Sequence, residues 1–333
     1  MNWYRINTIV ALFLMLLNNS LKAQIAYRDY IDYHVHLQDS ATVQLGYRML
    51  KAFGQTPTKM DSLVLDADTI IARLNRAKFK KAWILSNAYW FGSPILTVDN
   101  EYDEVKKQND WTAEQVARYP ERLTAFMSVN PLKPYALKEI QRCLDSKHFA
   151  GIKLHLANSK VNLFDKAQLE QLQKVFTLAN KNRLLLLIHF RNGSDWNGKT
   201  NAEILVKHLL PLTKQSKVVL AHMSGWGDYD KPTDDALNVI NAYIHKTGSG
   251  NKNLYFDLSA VLPIEVVKEH QSAKGKESWE ALPALKKRIK QIGVEHILFG
   301  TDWPLIDMED YIKILDSTLD PSTVQKILKN EVE

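Results

Sequence analysis

Short apolar runs alternate along most of the chain with longer segments whose apolar residues recur every three or four positions. The short runs predict eight strands, at 30–36, 81–86, 123–130, 151–156, 184–190, 218–222, 254–259 and 296–300. The fifth run is continuously hydrophobic from Leu184 to Ile188, as a strand covered on both faces requires. Between the runs lie helix signals. Asp68 precedes the stripe Ile70, Ile71, Leu74, and Thr112 with Gln115 has the spacing of a capping box. Asp165 opens the stripe Leu169, Leu172, Val175, Phe176, and Gly248 closes a segment holding Val239, Ile240 and Tyr243. Asp320 and Pro321 supply a cap and a first-turn proline for a last helix. Eight strands with crossover helices predict an α/β fold, a single-domain (β/α)8 TIM barrel. A doubly wound open sheet is the alternative, because strand number alone does not prove closure.

The first residues break this alternation. Arg5 precedes an apolar run at 9–17, and a polar stretch then leads to Leu21-Lys22-Ala23. This is the order of a secretory signal, with cleavage expected after Ala23. The domain division is therefore a signal peptide at 1–23 and a barrel at 24–333. The run falls short of the ~20 apolar residues a membrane span needs. No cysteine adjoins the cleavage point to take a lipid. An exported protein, periplasmic or secreted and without a stable membrane anchor, is expected.

Composition adds limits. In 333 residues, 45% are hydrophobic and 24% charged, ordinary for a globular enzyme. The net charge of +6 comes from basic residues scattered through helical segments (Lys78, Lys80, Lys81; Lys286, Lys287, Arg288, Lys290) without interleaved aromatics. That pattern describes solvated helix faces and argues against a nucleic-acid partner. Cys143 stands alone, so no internal disulfide is available.

The chemistry gathers at strand ends. Of ten histidines, His34, His36, His155, His189 and His222 fall at or near the C-terminal ends of predicted strands, where a parallel barrel places its site. His34 and His36 share one side of the first strand, because side chains alternate. His189 ends the fifth strand and Asp302 follows the eighth, both costly places for polar groups that nothing binds. His34, His36, His189 and Asp302 form an N₃O donor set suited to one divalent ion, zinc first, with manganese or iron as alternatives.

His34-Val-His36, Gly151-Ile-Lys-Leu-His155, Leu187-Ile-His189, Val219-Leu-Ala-His222 and Ile297-Leu-Phe-Gly-Thr-Asp302-Trp-Pro304 occur in one order over nearly the whole mature chain. In these motifs the sequence resembles the amidohydrolase superfamily, in the amidohydrolase-related branch that contains carboxymuconate-semialdehyde decarboxylase-like proteins. The resemblance implies a mononuclear site held by His34, His36, His189 and Asp302, with His222 and Asp302 as catalytic groups. Two departures are Leu156, where proline commonly follows the histidine of the fourth strand, and an ending that lacks the family's Asn-Ala-x-x-Leu helix.

The expected reaction is hydrolysis of an amide, ester or lactone by metal-activated water, Asp302 taking the proton and His222 polarising the carbonyl. A non-oxidative decarboxylase on the same site is the alternative, and a periplasmic binding protein without turnover is a second. Lys153 has three readings: a carboxylated bridge to a second metal, a partner for a substrate carboxylate, or an ion pair with Asp32. Trp90, Trp196, Trp226 and Trp303 follow strands and suggest aromatic walls. Together with Arg191, Lys153 and His155 they fit a small planar substrate bearing a carboxylate. A homodimer is implied only by analogy.

Overall fold

A computed structural model describes residues 28–52, 54–58, 62–193, 196–246, 253–262 and 281–332. The signal expected at 1–23 and the helix stop expected at Gly248 lie outside the described residues. The strands are β1 (Arg28–Val35), β2 (Phe79–Leu85), β3 (Leu123–Ser128), β4 (Phe149–His155), β5 (Leu185–His189), β6 (Val218–Leu220), β7 (Leu254–Asp257) and β8 (Ile297–Leu298). They run parallel in one sheet in chain order, which rules out the doubly wound alternative. The Tyr33 amide donates to the Phe299 carbonyl at 3.0 Å and the His36 amide to the Trp303 carbonyl at 2.8 Å, drawing the last strand against the first. The result is a single-domain TIM barrel.

Two apolar layers account for the architecture. Between sheet and helices lies one continuous core running from Tyr30 to Leu328. Inside the barrel Tyr33, Trp83, Leu85, Phe126, Leu187, Val219, Ala221 and Leu298 fill the lumen, with Val332 packed against them. Gly151 makes this filling possible. A Cβ there would stand 2.3 Å from the Phe126 ring and 2.6 Å from the Leu185 carbonyl oxygen. Gly151→Ala is therefore expected to destabilise the fold by about 1–3 kcal/mol through overpacking. An unchanged thermal midpoint in that variant would refute this view of the lumen.

Helix ends follow their caps, with two corrections. Asp165 and Asp320 cap helices as expected, their carboxylates accepting from the Gln168 and Thr323 amides. The cap of Ala67–Ala77 is Asp66, and Asp68 lies inside the first turn. Thr112 and Gln115 lie within Glu101–Ala117, so they form no capping box. That helix turns polar residues inward for a reason: Asn109 bonds both the amide and the carbonyl of Ser128, completing the end of β3. Arg288 is not a solvated residue either, being buried against Asp234 and Asn238. No helix of the described residues is long and apolar enough to cross a membrane.

Candidate metal centre

The site is built at the C-terminal end of the barrel from the residues that terminate its strands. The pairing of β1 with β2 shifts register between Asp32 and Val35, where His34 lies. His34 is fully buried, and its Nδ1 lies 3.0 Å from an oxygen of Asp257, the last residue of β7. The Nδ1 of His36 is 2.9 Å from the Leu85 carbonyl oxygen. Each ring is held by one nitrogen and turns the other toward Asp302: Nε2 of His34 is 3.3 Å and Nε2 of His36 is 3.7 Å from Asp302 Oδ1. Histidines that ligate metals are held in this way, the second nitrogen fixing tautomer and ring plane.

His222 does not end a strand. β6 stops at Leu220, and His222, Met223 and Ser224 follow with φ of 53°, 49° and 71°. Three successive non-glycine residues in the left-handed region are costly, and such strain gathers at functional sites. The turn is fastened by the His222 amide donating to Asp257 Oδ1 at 2.9 Å and by His222 Nδ1 lying 2.7 Å from the Ser259 carbonyl oxygen. It brings the His222 ring to 4.9 Å from that of His34. Ligating atoms of His34, His222 and Asp302 then lie within 4.8 Å of one another, a grouping that could hold a metal ion.

His189 and His155 complete the cluster. They sit side by side in register at the ends of β5 and β4, rings stacked at 3.9 Å, with Tyr89 stacked on His155 at 5.1 Å. His189 Nε2 is buried and has no hydrogen-bond partner. An orphaned imidazole nitrogen beside His222, whose ring is 5.0 Å away, fits a cation-binding role. With the oxygen of Asp302 and the turned-in nitrogens of His34 and His36, the donor chemistry fits a divalent transition metal.

Burial and nearby positive charge favour the neutral form of His34, His36, His155 and His189, the form that binds metal. Burial first, then Lys153, pushes His36 down to about 3, and the same two causes lower His34. His155 and His189 are held well below the ordinary histidine value, again chiefly by burial. Burial lowers Lys153 to about 8. Burial alone would raise Asp302 and Asp257, but the neighbouring histidines outweigh it and hold both carboxyls down.

The structure joins His34, His36, His189, His222, Asp302, Lys153 and His155 around one cavity of about 460 Å³. Lys153 Nζ lies 3.0 Å from His34 Nε2. It does not pair with Asp32, whose carboxylate accepts from the His34 and Thr301 amides and from the Thr301 hydroxyl. Trp90 and Trp226 line the cavity, as do Tyr89 and Leu305.

Two substrate-binding expectations are placed elsewhere. Arg191 is buried against Asp230 at 2.7 Å and over the Trp196 ring, where it ties two loops together. The Trp303 side chain packs into the core between sheet and helices, because its backbone bridges to Val35 and turns the ring outward from the lumen. Trp196 is buried in the same core. Asp257 escaped the sequence reading. Its signal was an aspartate ending the apolar run Leu254-Tyr-Phe, the same misplaced polarity that marked Asp302. Because Asp257 fastens both His34 and the His222 turn, Asp257→Asn is expected to weaken metal affinity by roughly 10–100-fold. Competition with a chromogenic chelator measures this, and unchanged affinity would remove Asp257 from the site.

The family model described as amidohydrolase matches residues 31–330. No curated protein matches the chain. Among solved structures, 5-carboxyvanillate decarboxylase of Sphingomonas paucimobilis is similar at 18% identity and a TM-score of 0.62, over 90% of this chain and 96% of that one. A dihydroxybenzoic acid decarboxylase of a Polaromonas species, with bound manganese and the inhibitor 2-nitroresorcinol, is similar at 18% identity and a TM-score of 0.59, over 90% and 94%. A probable 2-pyrone-4,6-dicarboxylic acid hydrolase of Acinetobacter baumannii, with citric acid bound, is similar at 16% identity and a TM-score of 0.55, over 90% and 96%. At these identities the likeness is one of fold.

Proposed function

The chain belongs to the amidohydrolase family, and on that premise we propose that it is a metal-dependent decarboxylase of a small planar carboxylic acid. The observation that carries this reading is the cavity itself. It sets a histidine–aspartate cluster and one buried cation, Lys153, against the stacked rings of Tyr89 and His155 and the indoles of Trp90 and Trp226. His34, His36, His189 and Asp302 would hold one divalent ion, with His222 beside them. The ion, when bound, supplies Lewis-acid charge that fixes substrate oxygens and withdraws electron density. The donor set suits zinc. The Polaromonas decarboxylase contains manganese, so manganese and zinc are both to be tried.

The chain's own groups do the rest. Lys153 attracts the substrate carboxylate, and the aromatic walls hold the ring flat and exclude water. Asp302, ionised before substrate arrives, would take a proton from solvent only with the substrate carboxylate beside it, and would then pass that proton to the ring carbon that bears the carboxylate. A π pair of the ring forms the new C–H bond. The pair of the C–C bond then restores the ring, and carbon dioxide leaves. His222 holds the developing negative charge on the substrate oxygen.

The test is carbon dioxide release from 5-carboxyvanillate, 2,6-dihydroxybenzoate and related acids by the manganese- or zinc-loaded protein. Release that disappears after chelation supports the reading. A second reading, hydrolysis of a lactone such as 2-pyrone-4,6-dicarboxylate, draws on the Acinetobacter neighbour and the same site. Acid formed without carbon dioxide would replace the first reading with the second. Export of the mature protein remains part of the proposal. Fractionation of cells and sequencing of the mature N-terminus test it, and an unprocessed cytoplasmic chain would overturn it.

A further inference from the structure

We propose that His155 is not a ligand of the metal but a hydrogen-bond donor to the substrate, its Nε2–H holding an oxygen of the carboxylate beside Lys153. The inference rests on the cavity taking a carboxylate-bearing substrate, and it names a second group that such a carboxylate meets. Which ring nitrogen carries the proton follows from what the nitrogens touch. Nδ1 of His34 faces an oxygen of Asp257, Nδ1 of His36 the Leu85 carbonyl and Nδ1 of His222 the Ser259 carbonyl. Carboxylate and carbonyl oxygens only accept, so these three Nδ1 atoms hold the protons and each Nε2 keeps a lone pair for a metal.

His155 is reversed. Its Nδ1 receives the backbone N–H of Asn158 at 3.2 Å, and a backbone N–H only donates. Nδ1 is therefore bare, the ring proton sits on Nε2, and in that tautomer Nε2 has no lone pair for a metal. The rings of His189 and Tyr89 stack on the His155 ring, so the partial exposure of this residue falls on its edge. His155 lines the cavity, and its Nε2 has no hydrogen-bond partner among the described residues. It keeps contact with solvent, whereas the partnerless Nε2 of His189 is sealed off. His155 ends β4 two residues after Lys153, so both side chains leave the same face of the strand. One strand thus offers an anionic oxygen a cation and a directed N–H, the pairing that makes charge-assisted hydrogen bonds strong.

The first test is nitrogen NMR of the zinc-loaded protein carrying isotopically labelled histidine. The His155 ring, identified by its absence from the spectrum of His155→Gln, is expected to show a proton on Nε2 and none on Nδ1. A proton on Nδ1, or zinc on Nε2, overturns the proposal without need of any variant that folds. The second test is calorimetric binding of benzoate to the same zinc-loaded protein. His155→Phe keeps a flat ring against His189 and Tyr89 but has no N–H. It is expected to retain its zinc and to bind benzoate about tenfold or more weakly, the scale of a hydrogen bond to a charged group. His155→Gln, whose amide carries an N–H to similar reach, should recover most of that affinity. Loss of zinc from His155→Phe, equal weakening in both variants, or a wild-type protein that does not bind benzoate each counts against the proposal. Carbon dioxide release is scored separately. A hydrolase of a carboxylate-bearing lactone passes these tests and releases none, whereas a decarboxylase with His155 on the metal releases it and fails them.

Discussion

Asp302→Asn is expected to lower carbon dioxide release by on the order of 10³-fold, the scale of losing a positioned acid–base group, while the fold stays intact. Asparagine is chosen for the backbone. Asp302 sits at a φ of 57°, and asparagine tolerates that left-handed conformation better than alanine. What the substitution removes is charge and a transferable proton at the oxygen that faces both His34 and His36. Metal content is measured on the same protein. A variant that keeps more than a tenth of wild-type turnover would exclude Asp302 from the reaction. One that keeps its metal but loses turnover would assign it to proton transfer more than to binding.

The second large effect lies away from the site. Glu139 is 1% exposed on the helix Ala136–Ser146, where its carboxylate accepts from Arg142 at 2.8 and 2.9 Å and from Asn109 Nδ2 at 2.8 Å. Burial by itself would raise its pKa, but the Arg142 and Asn109 bonds outweigh burial and hold it below the ordinary 4.5. Stability from this carboxylate is therefore fully present above its unfolded value and is lost as pH falls through the lowered one. Arg142→Met leaves the carboxylate buried with Asn109 and Cys143 alone, a loss of about 2–4 kcal/mol at pH 7. Without Arg142 the effect of burial takes over and the sign reverses. The folded carboxyl then binds its proton more readily than the unfolded one, so acid favours the folded state. Thermal melting at pH 7 and pH 5 should show the gap between variant and wild type narrowing at the lower pH. A gap that is constant or widens would contradict this assignment. The Arg142–Asp110 pair is exposed and adds little.

The contrast between what the sequence revealed and what it hid has a physical basis. All eight strands were legible, because strands buried on both faces are written as short apolar runs and each ended where polarity returned. The same rule exposed His34, His36, His155, His189 and Asp302. It failed where the backbone leaves extended geometry. The predicted strand through His222 stops at Leu220, and the left-handed turn that follows holds His222, Met223 and Ser224 where glycine would have marked it in the sequence. Trp303 and Arg191 follow strands as closely as the cluster residues do. Proximity to a strand end gives a residue's height in the barrel but not the direction of its side chain, and both turn away. Thr112 mimicked a helix start because the inward face of Glu101–Ala117 is polar, and a buried hydrogen-bonding face resembles an exposed one in sequence.

The filled lumen has a consequence for traffic. Tyr33 lies edge-on to Trp83 at 4.7 Å, Trp83 lies against Phe126 at 4.5 Å, and Asn330 near the chain end bonds the Val294 and Ile297 carbonyls below them. Among the described residues this stack fills the barrel below the cavity, so it leaves no passage along the barrel axis. On the decarboxylase reading proposed above, carbon dioxide and the larger product would leave by the mouth through which substrate enters, and the larger product would compete with fresh substrate.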